Sequence, residues 1–167
     1  MRRSRCILMP DQYYRSISEI DFDRLHKTGI RVLLTDMDNT LNPHGAHECG
    51  DFAKSQIARI QASGIECMIF SNAKTPRLAE LSAQTGLRYV PGPMKPTQKG
   101  IRTALRMFPD LARQNFALVG DQIYTDIITG KAGGILTILV DPLDADEPTY
   151  IKFKRLLEKP VKKKCFY

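Results

Sequence analysis

Two aspartates, separated by one residue, follow a short apolar run in the first third of the chain. Asp36 and Asp38 come shortly after Val32-Leu33-Leu34, and the turn-forming pair Asn42-Pro43 lies just beyond them. The apolar run predicts a buried strand, and residues i and i+2 of an extended chain face the same side. Both carboxylates would therefore face one reacting atom, Asp36 as a nucleophile and Asp38 as a general acid and base.

Three further polar clusters follow apolar runs later in the chain. They are Ser71-Asn72, Lys95-Pro96 and Gly120-Asp121, and Asp126 comes about one helical turn after the last of them. The intervals between the clusters are close to the roughly 30 residues of one βαβ unit. We therefore expect all of them to meet at the carboxyl edge of a parallel sheet, where open α/β folds bind ligands.

These residue types are suited to phosphoryl transfer. The Ser71 hydroxyl and the Lys95 ammonium would bind the oxygens of the transferred group, which carry negative charge. Mg²⁺ prefers hard oxygen ligands, and Asp36, a backbone carbonyl near Asp38, and Asp121 would provide them. Asp126 and Gly120 are expected to support this site, Asp126 by orienting waters or its loop.

The elements that must position these residues alternate between strands and helices. Apolar runs predict five strands, at 32–35, 67–70, 89–90, 116–119 and 135–140, and helical spacing predicts helices at 51–63, 76–85 and 97–108. Such alternation indicates an α/β fold with a mainly parallel sheet and helices on both faces. We divide the chain into a lead-in segment at 1–28, a core at 29–145 and a basic helix and tail at 146–167.

The charge pattern points to an anionic partner. The formal net charge is +7 over 167 residues, and basic residues are concentrated at both ends. A recruitment role for the basic tail and a merely solvated tail both remain open. The four scattered cysteines predict no disulfide framework, and no apolar run approaches the roughly 20 residues that cross a bilayer. We expect a cytoplasmic protein, with peripheral attachment to the inner face of the membrane as an option.

Taken in order, the four clusters resemble the motifs of the haloacid dehalogenase (HAD) superfamily of phosphatases. The residues that carry the resemblance are Asp36-x-Asp38-x-Thr40, Ser71-Asn72, Lys95-Pro96 and Gly120-Asp121 with Asp126. The resemblance implies a Rossmann-like three-layer sandwich, Mg²⁺ dependence and an aspartyl-phosphate intermediate. It also implies phosphate binding by Ser71, Asn72 and Lys95, and a Thr40 that supports the second aspartate.

A narrower resemblance covers nearly the whole chain. Leu8-Met9-Pro10-Asp11, Ser16-Ile17, Ile20-Asp21 and Pro91-Gly92, together with the four motifs, look like the YqeG-type proteins of HAD subfamily IIIA. That group is similar to the mitochondrial phosphatidylglycerophosphatase. The resemblance therefore implies dephosphorylation of phosphatidylglycerophosphate to phosphatidylglycerol.

The spacing of the motifs leaves no room for a cap domain. Only about 30 residues separate the first motif from the second, and about 23 separate the second from the third, little more than one βα crossover needs. We therefore expect an open site, which is suited to a phosphate on a large or surface-bound substrate.

The same residues are also compared with metal-binding patterns of other kinds, which they do not complete. A calcium loop starting at Asp36 would need glycine and glutamate where the chain has Leu41 and His47. His44, His47 and Cys49 fall short of the four ligands of a structural zinc site. The remaining functional alternatives are a HAD phosphatase acting on a nucleotide, sugar phosphate or phosphoprotein, and a non-catalytic module that binds nucleic acid or ribosomes. The intact carboxylates and Lys95 disfavour the binding module.

Overall fold

The fold is a six-stranded sheet, described here from a computed structural model in which residues 6–144, Leu156 and Glu158 are defined. The strands are β1 (Gln12–Tyr14), β2 (Val32–Thr35), β3 (Glu66–Ile69), β4 (Arg88–Tyr89), β5 (Phe116–Gly120) and β6 (Leu136–Val140). Their order across the sheet is β1-β6-β5-β2-β3-β4, and every neighbouring pair is parallel. The predicted α/β class with a mainly parallel sheet is confirmed.

Five α-helices connect the strands. They are α1 (Phe22–Lys27), α2 (Asp51–Ala62), α3 (Thr75–Thr85), α4 (Lys99–Met107) and α5 (Ile128–Gly133), and a π-helical turn (Ile123–Ile127) leads directly into α5. Helix α3 ends at Gly86, which has φ of +70°. Glycine is favoured at this position because a residue without a Cβ adopts the left-handed conformation at little cost. The five strands and three helices whose bounds were predicted from the sequence agree with the structure to within two residues.

The central strands are buried on both faces, and alternate residues separate two cores. Leu33, Ile69 and Val119 pack on one face with the apolar sides of α1, α2 and α3. Leu34, Phe70 and Leu118 pack on the other face with the apolar side of α4. The result is the three-layer arrangement that a parallel sheet requires, because both of its faces must be covered.

β1 is the strand that the sequence analysis did not predict. It contains only three residues, Gln-Tyr-Tyr, and it pairs in parallel with β6 at the edge of the sheet. Pairing is reinforced by the side chain of Asp11, which accepts hydrogen bonds from Lys131 Nζ at 2.5 Å and from the Thr137 backbone N at 2.9 Å. The strand is therefore specified by a long-range polar contact and not by a local apolar pattern. The basic helix and tail predicted at 146–167 lie outside the described residues, apart from Leu156 and Glu158.

Helix α2 connects β2 to β3, and helix α3 connects β3 to β4. The stretch from β2 to β4 is fully described and contains no inserted domain. The chain runs outward from β2 through β3 to β4, then returns to β5 on the other side of β2. The strand order therefore reverses between β2 and β5. That reversal opens a crevice at the carboxyl ends of these two strands.

We predict that Asp11→Ala lowers the free energy of unfolding by about 3–5 kcal/mol, because it leaves the buried ammonium of Lys131 without its carboxylate. Urea unfolding monitored by circular dichroism measures the change. Asp23→Asn, at an exposed position of α1, is the matched control and should change stability by about 0.5 kcal/mol or less. Equal stability of the two variants would contradict the role given to Asp11.

Candidate active site

A cleft of about 320 Å³ lies at the strand-order reversal between β2 and β5. Its walls come from the loops that follow β2, β3, β4 and β5, as parallel strands dictate. The lining residues include five of those predicted from the sequence and four that were not: Asp36, Asp38, Ser71, Asn72 and Lys95, with His44, Arg77, Gln122 and Thr125. The structure therefore brings residues of the first three predicted motifs to the cleft, and Gln122 and Thr125 bring the loop of the fourth motif to its wall.

The ammonium of Lys95 lies between two buried carboxylates. Its Nζ is 3.0 Å from Asp36 Oδ1 and 2.7 Å from Asp126 Oδ1, and the Lys95 side chain is only 3% exposed. Burial opposes the charge on the ammonium, but Asp126 and Asp36 outweigh it and raise the pKa of Lys95. Lys74 and Lys99, the other lysines near these motifs, are exposed.

Asp36 follows β2 and is held there by the sheet. Its backbone N donates to the Val119 carbonyl of β5 at 3.0 Å, which continues the β2–β5 pairing by one residue. Burial raises the pKa of Asp36 to about 6, even though the Lys95 ammonium lowers it. The Lys95 ammonium at 3.0 Å favours the carboxylate form, which a nucleophile requires.

Three buried carboxylates converge beside Lys95. Oxygen atoms of Asp36, Asp121 and Asp126 all lie within 4.8 Å of one another. Three carboxylates and one ammonium leave a formal charge of −2, and an uncompensated buried charge is strongly unfavourable. A divalent cation would balance it, and carboxylate oxygens are the ligands that Mg²⁺ prefers. The donor set therefore fits a magnesium ion.

Gly120 and Thr40 support this carboxylate cluster. A Cβ at Gly120 would lie 2.3 Å from Asp126 Cγ, so only glycine lets the Asp126 side chain approach β5. The Asp126 carboxylate also accepts from the Gln122 backbone N at 3.1 Å, across the π-helical turn. Thr40 Oγ1 donates to Asp121 Oδ1 at 3.5 Å. The hydroxyl therefore contacts the cluster of Asp36, Asp121 and Asp126 and not Asp38.

The second and third motifs are joined by one side chain. Asn72 Nδ2 donates to the Lys95 carbonyl at 3.0 Å, and Asn72 Oδ1 accepts from the Lys95 backbone N at 2.9 Å. Asn72 therefore fixes the backbone that carries Lys95, in addition to lining the cleft. Ser71 is 3% exposed, and its Oγ accepts from the Ala73 backbone N at 3.3 Å, which leaves the hydroxyl hydrogen available as a donor.

Arg77 is the important residue that the sequence analysis missed. Its guanidinium forms a bidentate pair with Asp38, with Nη1 2.8 Å from Oδ2 and Nη2 2.6 Å from Oδ1. Nη2 also donates to the Ala46 carbonyl at 3.1 Å, which ties the loop after β2 to α3. The sequence did contain a signal for Arg77. A helix was predicted to start near Pro76, and its first turn, which contains Arg77, lies at the carboxyl edge of the sheet, where the site was expected.

The environment of Asp38 differs from that of Asp36. Burial raises the pKa of Asp38, but the hydrogen bonds from Arg77 and from the backbone N–H of Gly45 at 2.8 Å lower it by more. The net pKa of Asp38 is therefore below the usual range. Asp38 is therefore held as a carboxylate outside the cluster of Asp36, Asp121 and Asp126. Participation of its backbone carbonyl in a metal site stays a prediction.

The comparisons with known proteins agree with this geometry. Residues 94–146 match the family model described as HAD-hydrolase-like. The chain is 26% identical to YqeG of Bacillus subtilis, described as a probable phosphatase, over 92% of this chain and 88% of that protein. It is also 26% identical to phosphatidylglycerophosphate phosphatase 1 of Arabidopsis thaliana, over 93% of this chain but only 47% of that protein.

A solved structure shows the same fold. It is that of YfnB from Bacillus subtilis, proposed to be a HAD hydrolase and determined with bound magnesium. The TM-score is 0.51 and the sequence identity 18%, over 70% of this chain and 57% of that one.

We predict a coupling energy of about 1–3 kcal/mol between Asp38 and Arg77, measured by a double-mutant cycle of Asp38→Asn and Arg77→Gln in urea unfolding. The lowered pKa of Asp38 means that this contribution is present above the unfolded-state pKa near 3.8 and is lost as the pH falls through the lower folded-state pKa. A coupling energy near zero at pH 7 in metal-free buffer would contradict the pairing.

Over residues 94–146 the chain matches the HAD-like hydrolases, and over most of its length it is similar to the probable phosphatase YqeG.

Proposed function

We propose that this protein hydrolyses phosphomonoesters through an aspartyl-phosphate on Asp36, and that its substrate is phosphatidylglycerophosphate. The observation that carries the chemical part is the pairing of a buried Asp36 with Lys95 in an open cleft, beside the carboxylates of Asp121 and Asp126. A carboxylate nucleophile, a fixed cation and a divalent metal are what phosphoryl transfer requires.

In the first step, an oxygen of Asp36 attacks phosphorus and the bond between phosphorus and the ester oxygen breaks. Asp38 gives a proton to the departing alkoxide from its protonated form, which the pairing with Arg77 makes the minor one. Lys95, Ser71 and backbone N–H groups bind the oxygens of the transferred group. In the second step, water attacks the phosphorus of the aspartyl-phosphate, Asp38 takes the proton of that water, and inorganic phosphate leaves as Asp36 is regenerated.

Arg77 bears on the role of Asp38. By lowering the pKa of Asp38, Arg77 favours the carboxylate, which is the form that accepts a proton from water in the second step. Its bidentate contact also limits rotation of the carboxylate. Mg²⁺ would be held by Asp36 and Asp121, with Asp126 adjoining, and when bound it would neutralise charge on the phosphate oxygens.

The substrate assignment rests on two supports. One is the 26% identity to a phosphatidylglycerophosphate phosphatase, which covers nearly all of this chain but about half of that relative. The other is the open cleft, which leaves space for a phosphate on a large substrate presented at a surface. In the described part of the chain, no helix has the length and apolar content needed to cross a bilayer. Peripheral attachment to an anionic membrane is part of the proposal.

The test of substrate is phosphate release from phosphatidylglycerophosphate in mixed micelles, beside nucleotide and sugar monophosphates and a phosphopeptide. We expect Mg²⁺-dependent turnover of the lipid that is lost with EDTA and lost by at least about 10³-fold in Asp36→Asn. Turnover of the non-lipid esters alone would keep the chemistry and reject the lipid. Silence on every phosphomonoester, combined with RNA binding that weakens steeply with salt, would favour the non-catalytic module.

The role of Asp38 is tested by the leaving group. We predict that Asp38→Asn lowers kcat/KM, which reports the steps up to departure of the leaving group, by about 10²–10⁴-fold for alkyl phosphates, because their alkoxides need a proton in order to depart. The loss should be much smaller for p-nitrophenyl phosphate, whose phenolate leaves without one. Asp36→Asn is the control and should inactivate the enzyme equally toward both kinds of ester. Equal losses for both esters in Asp38→Asn would reject the acid role.

A further inference from the structure

Three depressions adjoin one another on the surface. The catalytic cleft shares Asn72, Ala73 and Lys95 with a shallow depression on the loop after β4, residues 91–97. That depression shares Thr97 with a groove along the exposed side of α4. A ligand surface that lay across all three would reach from the carboxylates of the cleft to the basic side of α4.

An apolar side chain is held in solvent at the middle of this path. Met94 is 52% exposed and has φ of +50°, a conformation that is unfavourable for a residue with a side chain. Two backbone hydrogen bonds fix it there, from Thr97 N to the Met94 carbonyl at 2.8 Å and from Gly100 N to the Pro93 carbonyl at 3.0 Å. Met94 therefore projects from a braced loop, directly beside Lys95.

Positive charge covers the far part of the path. Lys99, Arg102 and Arg106 are all exposed, and their spacing of three and four residues places them on one side of α4. Lys99 Nζ lies 3.3 Å from the sulfur of Met94, so the cations begin where the apolar side chain ends. The ion pairs of the described residues include none of these three cations, and the sequence has no acidic residue from 81 to 109.

We propose that Met94, Lys99, Arg102 and Arg106 form a docking face for an anionic lipid surface, which presents a lipid-borne phosphomonoester to the cleft. This inference rests on the lipid substrate of the proposed function, and it concerns a different part of the chain from the basic tail. The cations complement anionic headgroups, and the exposed methionine enters the boundary between headgroups and acyl chains. The phosphates of a nucleic acid would also pair with these cations, but a nucleic acid has no apolar layer into which the Met94 side chain could insert.

The experiment is co-sedimentation of the full chain with vesicles of phosphatidylglycerol and phosphatidylcholine. We expect Arg102→Gln with Arg106→Gln to lower the partition coefficient by about 10- to 30-fold, given the attraction of each basic residue to an anionic surface. The matched control is Lys27→Gln with Lys54→Gln, which removes the same charge from α1 and α2 on the opposite face of the sheet. The control should bind more tightly than the docking-face variant.

The apolar part of the face is tested at high salt, where the electrostatic contribution is screened. Met94→Gln should release the protein from vesicles, whereas Met94→Leu should retain it. Turnover of p-nitrophenyl phosphate by Arg102→Gln with Arg106→Gln should equal that of the wild type, while turnover of the lipid in anionic vesicles falls with binding.

Equal vesicle binding by the docking-face variant and its control would overturn the proposal, and so would loss of RNA affinity with vesicle binding unchanged. Loss of vesicle binding in a protein that hydrolyses only non-lipid esters would support the docking face and reject the lipid substrate. The two proposals therefore fail separately.

Discussion

The buried ammonium of Lys95 is the interaction on which the site depends. It is the cation recorded in contact with the converging carboxylates, and it lies within 3.0 Å of both Asp36 and Asp126. Without it, three carboxylates within 4.8 Å would repel one another in a region largely shielded from water. Asn72 holds the backbone of Lys95, and Gly120 makes room for Asp126, so much of the local structure serves to keep this charge in place.

The sequence predicted the parts of the molecule that local patterns specify. Apolar runs identify β2, β5 and β6 because parallel strands are buried on both faces, and the regular spacing of the motifs follows from the length of a βαβ unit. β1 escaped prediction because its three residues carry no apolar pattern, and its position is specified by Asp11 contacts more than 100 residues away in sequence. Length alone correctly indicated the absence of a cap between the motifs.

The sequence predicted that the motif residues meet at one edge of the sheet, but not which contacts they form there. Order and spacing bring Asp36, Ser71 and Lys95 to one edge of the sheet, yet no spacing reveals which carboxylate meets which cation. Arg77 belongs to none of the four clusters, and its pairing with Asp38 depends on how α3 packs against the loop after β2. Likewise, the π-helical turn that aims Asp126 toward Lys95 arises from backbone geometry and has no signature in residue types.

The open cleft also has a kinetic consequence. Enzymes that close a lid over their substrate often have turnover limited by the opening of that lid and the release of product. In the fully described stretch from β2 to β4, the chain forms strands, helices and their connections, and no inserted domain covers Asp36. In the proposed reaction, inorganic phosphate would leave without the movement of an inserted domain. Retention of substrate between encounter and reaction must then come from the surface around the cleft.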